Sequence, residues 1–213
     1  MHPPAPAALL SIRDLRFGYP GDLVLFDGWS ADVGPGVTLL QGDTGSGKSS
    51  LLKVIAGLLP ASVELVLQGR VREDDLSAYA NDLFFADASA PALDALTVTA
   101  ATTALHGGDP RFDPALWQRV VEGFALAPHL GKNMFMLSTG SRRKVALAVA
   151  LALNRPLTLL DEPTGGLDLA STRCLWTTLA QVACHPARAV IVASGGTVDT
   201  DVVPLAGVIS LDA

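Results

Sequence analysis

Short alternating or apolar runs fill the first part of the chain, a helical period follows, and short unbroken apolar blocks return near the end. Over residues 9–41 the runs (Leu10-Ser11-Ile12, Leu23-Val24-Leu25-Phe26, Val37-Thr38-Leu39-Leu40-Gln41) are broken at Gly18, Pro20-Gly21, Gly28 and Gly34-Pro35-Gly36. This pattern predicts antiparallel strands with tight turns, closing on a short buried strand at 37–41. Helical spacing over 50–57 stops at Gly57, 63–71 reads as a further strand, and 83–85 as a short apolar one before a small-residue loop over 87–94. Helical spacing governs 96–105, 113–126 and 142–153. The blocks 157–160 and 190–193 suit strands buried on both faces of a parallel sheet, with a helix at 169–183 between them and a last strand at 207–211.

Between the strand at 37–41 and the helix at 50–57 stands Gly42-Asp43-Thr44-Gly45-Ser46-Gly47-Lys48-Ser49, a complete G-x-x-x-x-G-K-[ST] loop. Strand, glycine-rich loop and helix form the context in which this motif cradles phosphate. Glycines let successive N–H groups converge on phosphate oxygens where a Cβ would obstruct them, and the helix N-terminus adds positive potential. Lys48 is placed to reach the β- and γ-phosphates, and the Ser49 hydroxyl to hold Mg²⁺. Residues 42–50, Ser50 included, are therefore the expected nucleotide-binding loop. The fold expected is α/β: a P-loop NTPase core, mostly parallel sheet with helices, carrying an N-terminal antiparallel β subdomain and an inserted α-helical subdomain. We place the core at about 9–93 and 154–213 and the helical segment at about 94–153, all within one domain over 1–213, with 1–8 a loose arm.

A second acidic element supports this reading. The apolar run Leu157-Thr158-Leu159-Leu160 ends in Asp161-Glu162, and charges at the end of a buried strand are costly without a role. Asp161 is placed to hold Mg²⁺ directly or through water. Glu162 is placed to orient and deprotonate the water that attacks the γ-phosphate.

Composition bounds the partners. The chain has 213 residues, 49% hydrophobic and only 17% charged, below the usual quarter for soluble domains, which leans toward surface buried against other subunits. A net charge of −6 carries no nucleic-acid footprint. Cys174 and Cys184 form no Cys-x-x-Cys or Cys/His cluster, which fits a reducing compartment. The first residues lack a basic and an apolar signal-peptide region. The longest apolar run, 145–153, is about half a bilayer span, so a membrane role is expected only through a partner subunit.

A third element decides the family. Leu137-Ser138-Thr139-Gly140-Ser141 precedes the helix beginning Arg142-Arg143-Lys144, and Leu159-Leu160-Asp161-Glu162-Pro163-Thr164-Gly165-Gly166-Leu167-Asp168 follows downstream. In order and spacing the three motifs closely resemble the ATP-binding cassette (ABC) ATPases, over about residues 9–211. The resemblance implies ATP and Mg²⁺ as cofactors and a second cassette, homo- or heterodimeric, whose bound ATP is met by Ser138, Thr139 and Gly140 of this chain. It also implies adenine stacking on Tyr19, a D-loop carrying Asp168 across the dimer interface, a transmembrane permease subunit, and a cytoplasmic place on the inner face of the membrane through that subunit. The short single-cassette build resembles small bacterial exporter ATPases such as the haem-exporter type.

The chain departs from the family in three places. Thr139 and Ser141 replace residues of the family's Leu-Ser-Gly-Gly-Gln signature. The switch histidine after the strand at 190–193 is replaced by Gly195, with His2, His106, His129 and His185 all elsewhere. No glutamine stands near Ala88 and Ser89, where the family senses metal and membrane partner. Binding is expected to survive and hydrolysis to be slow, since one lost donor at a developing phosphoryl charge costs about 10²–10³ in rate. The leading expectation is an ATP-hydrolysing energy-coupling subunit of a membrane transporter. The alternative is a degenerate regulatory or scaffold cassette with little hydrolysis.

Overall fold

Chain order runs β1 (Leu10–Gly18), β2 (Val24–Val33), β3 (Gly36–Gln41), α1 (Lys48–Ile55), β4 (Ser62–Leu67), β5 (Arg70–Val71) and α2 (Leu76–Asp82). It continues through β6 (Leu83–Phe85), α3 (Val98–His106), α4 (Pro114–Gly123), α5 (Thr139–Ala152), β7 (Leu157–Asp161), α6 (Leu169–Ala183), β8 (Ala189–Ala193) and β9 (Leu205–Ser210). These elements come from a computed structural model that describes residues 8–21, 24–87, 91–196 and 198–211. The expected loose arm falls almost wholly outside the described residues, as do Ala88 and Ser89.

The strands form two sheets. One is antiparallel in the order β2-β1-β4-β5, and the other runs β6-β7-β8-β3-β9 with every pair parallel. Burial explains the division. β8 is buried throughout and β7 up to its last residue, as strands covered by helices on both faces must be. β1 alternates, but the interval from Ile12 to Leu15 is three residues. A bulge with Asp14 at φ 50° restores the inward face there, and aspartate tolerates that backbone better than most residues.

Three local expectations are revised. Gly28 does not end a strand: it is the extra residue of a bulge within β2, since Leu15 faces Trp29 and Arg16 faces Asp27. The run 63–71 is a hairpin, turning at Gln68 (φ 51°) and Gly69 (φ 75°), the doubly positive backbone of a tight two-residue turn. The helix α2 has no counterpart in the sequence reading. It buries only Tyr79, whose hydroxyl donates to the Ile55 carbonyl at 2.9 Å, so it shows no apolar stripe.

Helices α3, α4 and α5 fill the span between β6 and β7. The second half of α5 is buried all round from Val145 to Ala152. The longest apolar run of the chain is thus a helix at the centre of the protein, as its lack of a polar face requires. Among the described residues no helix is long and apolar enough to cross a membrane. At the C-terminal end of α5 the buried Arg188 donates to the carbonyls of Ala150 (2.8 Å) and Leu151 (3.0 Å) and to Asn154 Oδ1 (2.8 Å). A cation there complements the helix dipole, although burial lowers its pKa to about 10.

Candidate functional site

The register of the parallel sheet sets the site. Leu40 pairs with Ala193, and Ala193 with Asp161, so β3, β8 and β7 end level and their loops leave one edge together. Because β8 stands between β3 and β7, Asp161 lies two strand spacings, roughly 10 Å, from the strand that leads into the phosphate loop. Ligands of open α/β sheets bind outside this carboxyl edge.

The loop after β3 has the backbone its glycines allow. Gly42, Gly45 and Gly47 have φ of 154°, 89° and 97°. At Gly47 packing adds a second constraint, because a Cβ would meet the Phe26 ring at 3.0 Å. The Lys48 side chain is buried across the loop and donates from Nζ to the carbonyls of Gly42 (2.6 Å) and Asp43 (2.9 Å). Ser46 Oγ is buried without a hydrogen-bond partner among the described residues. Thr44 and Gly45 stand exposed at the tip.

Helix caps distinguish this loop further. Side chains of Asp75, Thr97, Asp113, Ser138 and Asp168 cap α2, α3, α4, α5 and α6. At α1 the N-cap is Gly47, and among the described residues no side chain caps the first turn. Its leading amides therefore remain available to an outside acceptor. Beside them Tyr19 shares a 3.1 Å hydroxyl contact with Ser50 Oγ and sets its ring edge-on to Phe17 at 5.1 Å. Tyr19 as a whole residue keeps 42% exposure.

At the end of β7, Asp161 Oδ1 is buried and without a hydrogen-bond partner among the described residues. Glu162 has φ 42°, its amide donates to the Ala193 carbonyl at 2.9 Å, and its Oε1 accepts from the Gly195 amide at 2.7 Å. Among the described residues no group of three or more His, Cys, Asp or Glu could hold a metal alone. A lone carboxylate oxygen and a serine hydroxyl are hard oxygen donors that fit Mg²⁺ when phosphate and water complete its shell. The orphaned Asp161 oxygen matches that arrangement.

The residues around 138–144 are joined elsewhere. Ser138 Oγ accepts from the Ser141 amide at 3.2 Å and donates to Ser141 Oγ at 3.0 Å. The helix thus starts at Thr139, earlier than its apolar spacing indicates. A Cβ on Gly140 would collide with the Gly166 carbonyl oxygen, so glycine is required for this close approach. Arg143 donates to the Gly165 carbonyl, and Lys144 Nζ meets Asp168 Oδ2 at 2.5 Å. Asp168 also caps α6, accepting from the Ser171 amide at 2.8 Å and the Ser171 hydroxyl at 3.1 Å. Lys144, then these Ser171 donors, hold its carboxyl well below the usual aspartate range. Among the described residues no hydrogen bond joins Ser138, Thr139 or Gly140 to residues 42–50. The structure therefore brings Tyr19, 42–50 and 161–162 to one edge and sets 138–140 against 165–168 instead.

Two features escape a reading of residue types. The amide of Gly195 is a main-chain donor and leaves no mark in sequence. A cleft of about 650 Å³ between core and helical segment, lined by Lys53, Phe85, Asp94, Leu137 and Arg142 among others, exists only once both parts have folded. Within it Arg142 pairs with Asp94.

Comparison with known proteins shows the family. The ABC transporter family profile matches residues 26–165. The cytochrome c biogenesis ATP-binding export protein CcmA of Rhodopseudomonas palustris is 36% identical over 75% of this chain and 78% of its own length. The protein of that name from Sphingopyxis alaskensis is 35% identical over 82% and 84%. Among solved structures, an ABC transporter ATP-binding protein from Pyrococcus furiosus superposes with a TM-score of 0.73 at 22% identity, covering 95% of this chain and 96% of its own. With the phosphate loop, the acidic strand end and the 137–141 motif in their places, the chain belongs to the ABC transporter family, as one of its ATP-binding ATPases.

Proposed function

We propose that this chain is the energy-coupling subunit of an exporter, binding Mg·ATP at the carboxyl edge of its parallel sheet and hydrolysing it within a pair of cassettes. The observation that carries the binding reading is the uncapped first turn of α1 beneath a buried Lys48 that satisfies itself on loop carbonyls. Phosphate oxygens would take the α1 amides and draw Lys48 off Gly42 and Asp43, exchanging neutral acceptors for charged ones. Thr44, Gly45, Ser46 and Gly47 wrap the phosphates, Tyr19 stacks on the base, and Ser49 with Asp161 holds the metal. A magnesium ion held by Ser49 and Asp161 would supply charge neutralisation at the phosphoryl group. Glu162 Oε2, met by no donor among the described residues, accepts the proton of the attacking water.

Ser138 and Gly140 of this chain serve the nucleotide of a second cassette, and that cassette returns the same service. Asp168 is committed within its own chain to Lys144 and to the α6 cap, so it shapes the loop it offers to the interface. The cleft beside Arg142 and Asp94 is the seat for a transmembrane subunit, which would hold the chain at the inner membrane face. Export as the direction rests on the names of the relatives, both ATP-binding export proteins.

The test is Glu162→Gln. With the proton acceptor neutralised, Mg·ATP should hold this variant as a dimer, seen by light scattering, while the parent hydrolyses its nucleotide and stays largely monomeric. Identical behaviour of the two proteins would instead favour the scaffold reading, which the glycine at 195 and the missing glutamine near Ala88 and Ser89 support.

A further inference from the structure

We infer that the main-chain N–H of Gly195 is the positioning group for Glu162, holding one carboxylate oxygen so that the other is aimed at the attacking water. The inference rests on the reading of Glu162 as proton acceptor. Glu162 is exposed, and a free glutamate side chain samples many rotamers. A proton acceptor misplaced by about 1 Å can lose about 10² in rate. Something must therefore fix this carboxylate, and the structure shows what does.

The Gly195 amide donates to Oε1 at 2.7 Å, a short, charge-assisted bond. The Glu162 amide donates in turn to Ala193 at 2.9 Å, so the two bonds close a ring between the ends of β7 and β8. Between them the Ser194 amide donates to the Leu40 carbonyl at 3.1 Å. The segment that holds the glutamate is thus tied to β3, the strand that leads into the phosphate loop. The Gly196 amide, donating to Ser194 Oγ at 3.1 Å, fixes the turn itself. The base and the phosphate cradle are in this way registered to each other through main-chain bonds, with no side chain from 194–196 touching the carboxylate. A Cβ on Gly195 would sit 3.5 Å from Oε1, an ordinary contact, so alanine fits this position and keeps the donor.

The discriminating experiment removes one hydrogen. Replacing the amide before residue 195 by an ester (glycolic acid in place of Gly195) deletes the N–H and leaves the shape. Single-turnover hydrolysis of Mg·ATP by the full chain should slow by about 10², with nucleotide affinity and melting temperature unchanged. In a Glu162→Gln background the ester should change hydrolysis no further. Parental hydrolysis by the ester protein overturns the inference. So does a loss of affinity parallel to the loss of rate, or an equal loss in the glutamine background. If instead Glu162→Gln hydrolyses as fast as the parent, it is the role of Glu162 that fails, a result separate from any effect of the ester.

Discussion

The first turns of α1 and α5 are built from similar residues, glycine and serine followed by a basic side chain, and they end in opposite states. At α1 the cap is Gly47, no side chain among the described residues caps the leading amides, and Lys48 folds back on two carbonyls of its own loop. At α5 Ser138 caps the helix, Gly140 packs on Gly166, and Arg143 and Lys144 are joined to 165–168. Both ends carry the positive potential of a helix N-terminus. Of the two, α1 is the one with no side-chain acceptor among the described residues, which is why the proposed nucleotide site begins there. At α5 the Ser138 hydroxyl already accepts from the Ser141 amide, so on the reading proposed above it must exchange that contact before it serves a phosphate on another cassette.

The comparison can be broken most forcefully at Lys48. A charge-assisted hydrogen bond is worth about 1.5–3 kcal/mol, so Lys48→Ala should weaken Mg·ATP binding roughly 10–100-fold by calorimetry. Undiminished affinity would show that α1 is not where the triphosphate sits. Next in size is Gly140→Ala, whose new methyl group would press on the Gly166 carbonyl. Overpacking of this kind costs about 1–3 kcal/mol, read as a lower melting temperature, while single-chain ATP affinity should hold. A drop in affinity as large as that of Lys48→Ala would mean that the two termini are not independent.

The smallest effect concerns pH. The Asp168 carboxyl is held below its ordinary value by Lys144 and Ser171, so its contribution is fully present above the unfolded aspartate pKa, about 3.9. It is lost as the pH falls through the lower folded value. The gap in melting temperature between the parent and Asp168→Asn should accordingly be constant near neutrality and narrow below about pH 4. A gap that stays open in acid would mean that Asp168 acts through its shape at the α6 cap and not through its charge.

Periodicity and glycine placement encode local preference, so the antiparallel start, the phosphate loop, the buried strands and the helical insertion are all legible in residue order. The 42–49 and 157–162 motifs can be found in the same way because their chemistry depends on residue type. Helix α2 leaves no such trace, since it buries a single side chain. Gly28 misleads, since a bulge glycine and a turn glycine look alike in sequence.

What tertiary structure alone decided is register and main-chain bonding. The order β6-β7-β8-β3-β9 puts β8 between the phosphate loop and Asp161, and it brings the Gly195 amide to Glu162. Sequence reports the loss of an imidazole at 195, but every residue except proline carries an amide. Which amide meets which carboxylate is fixed only when distant strands pair.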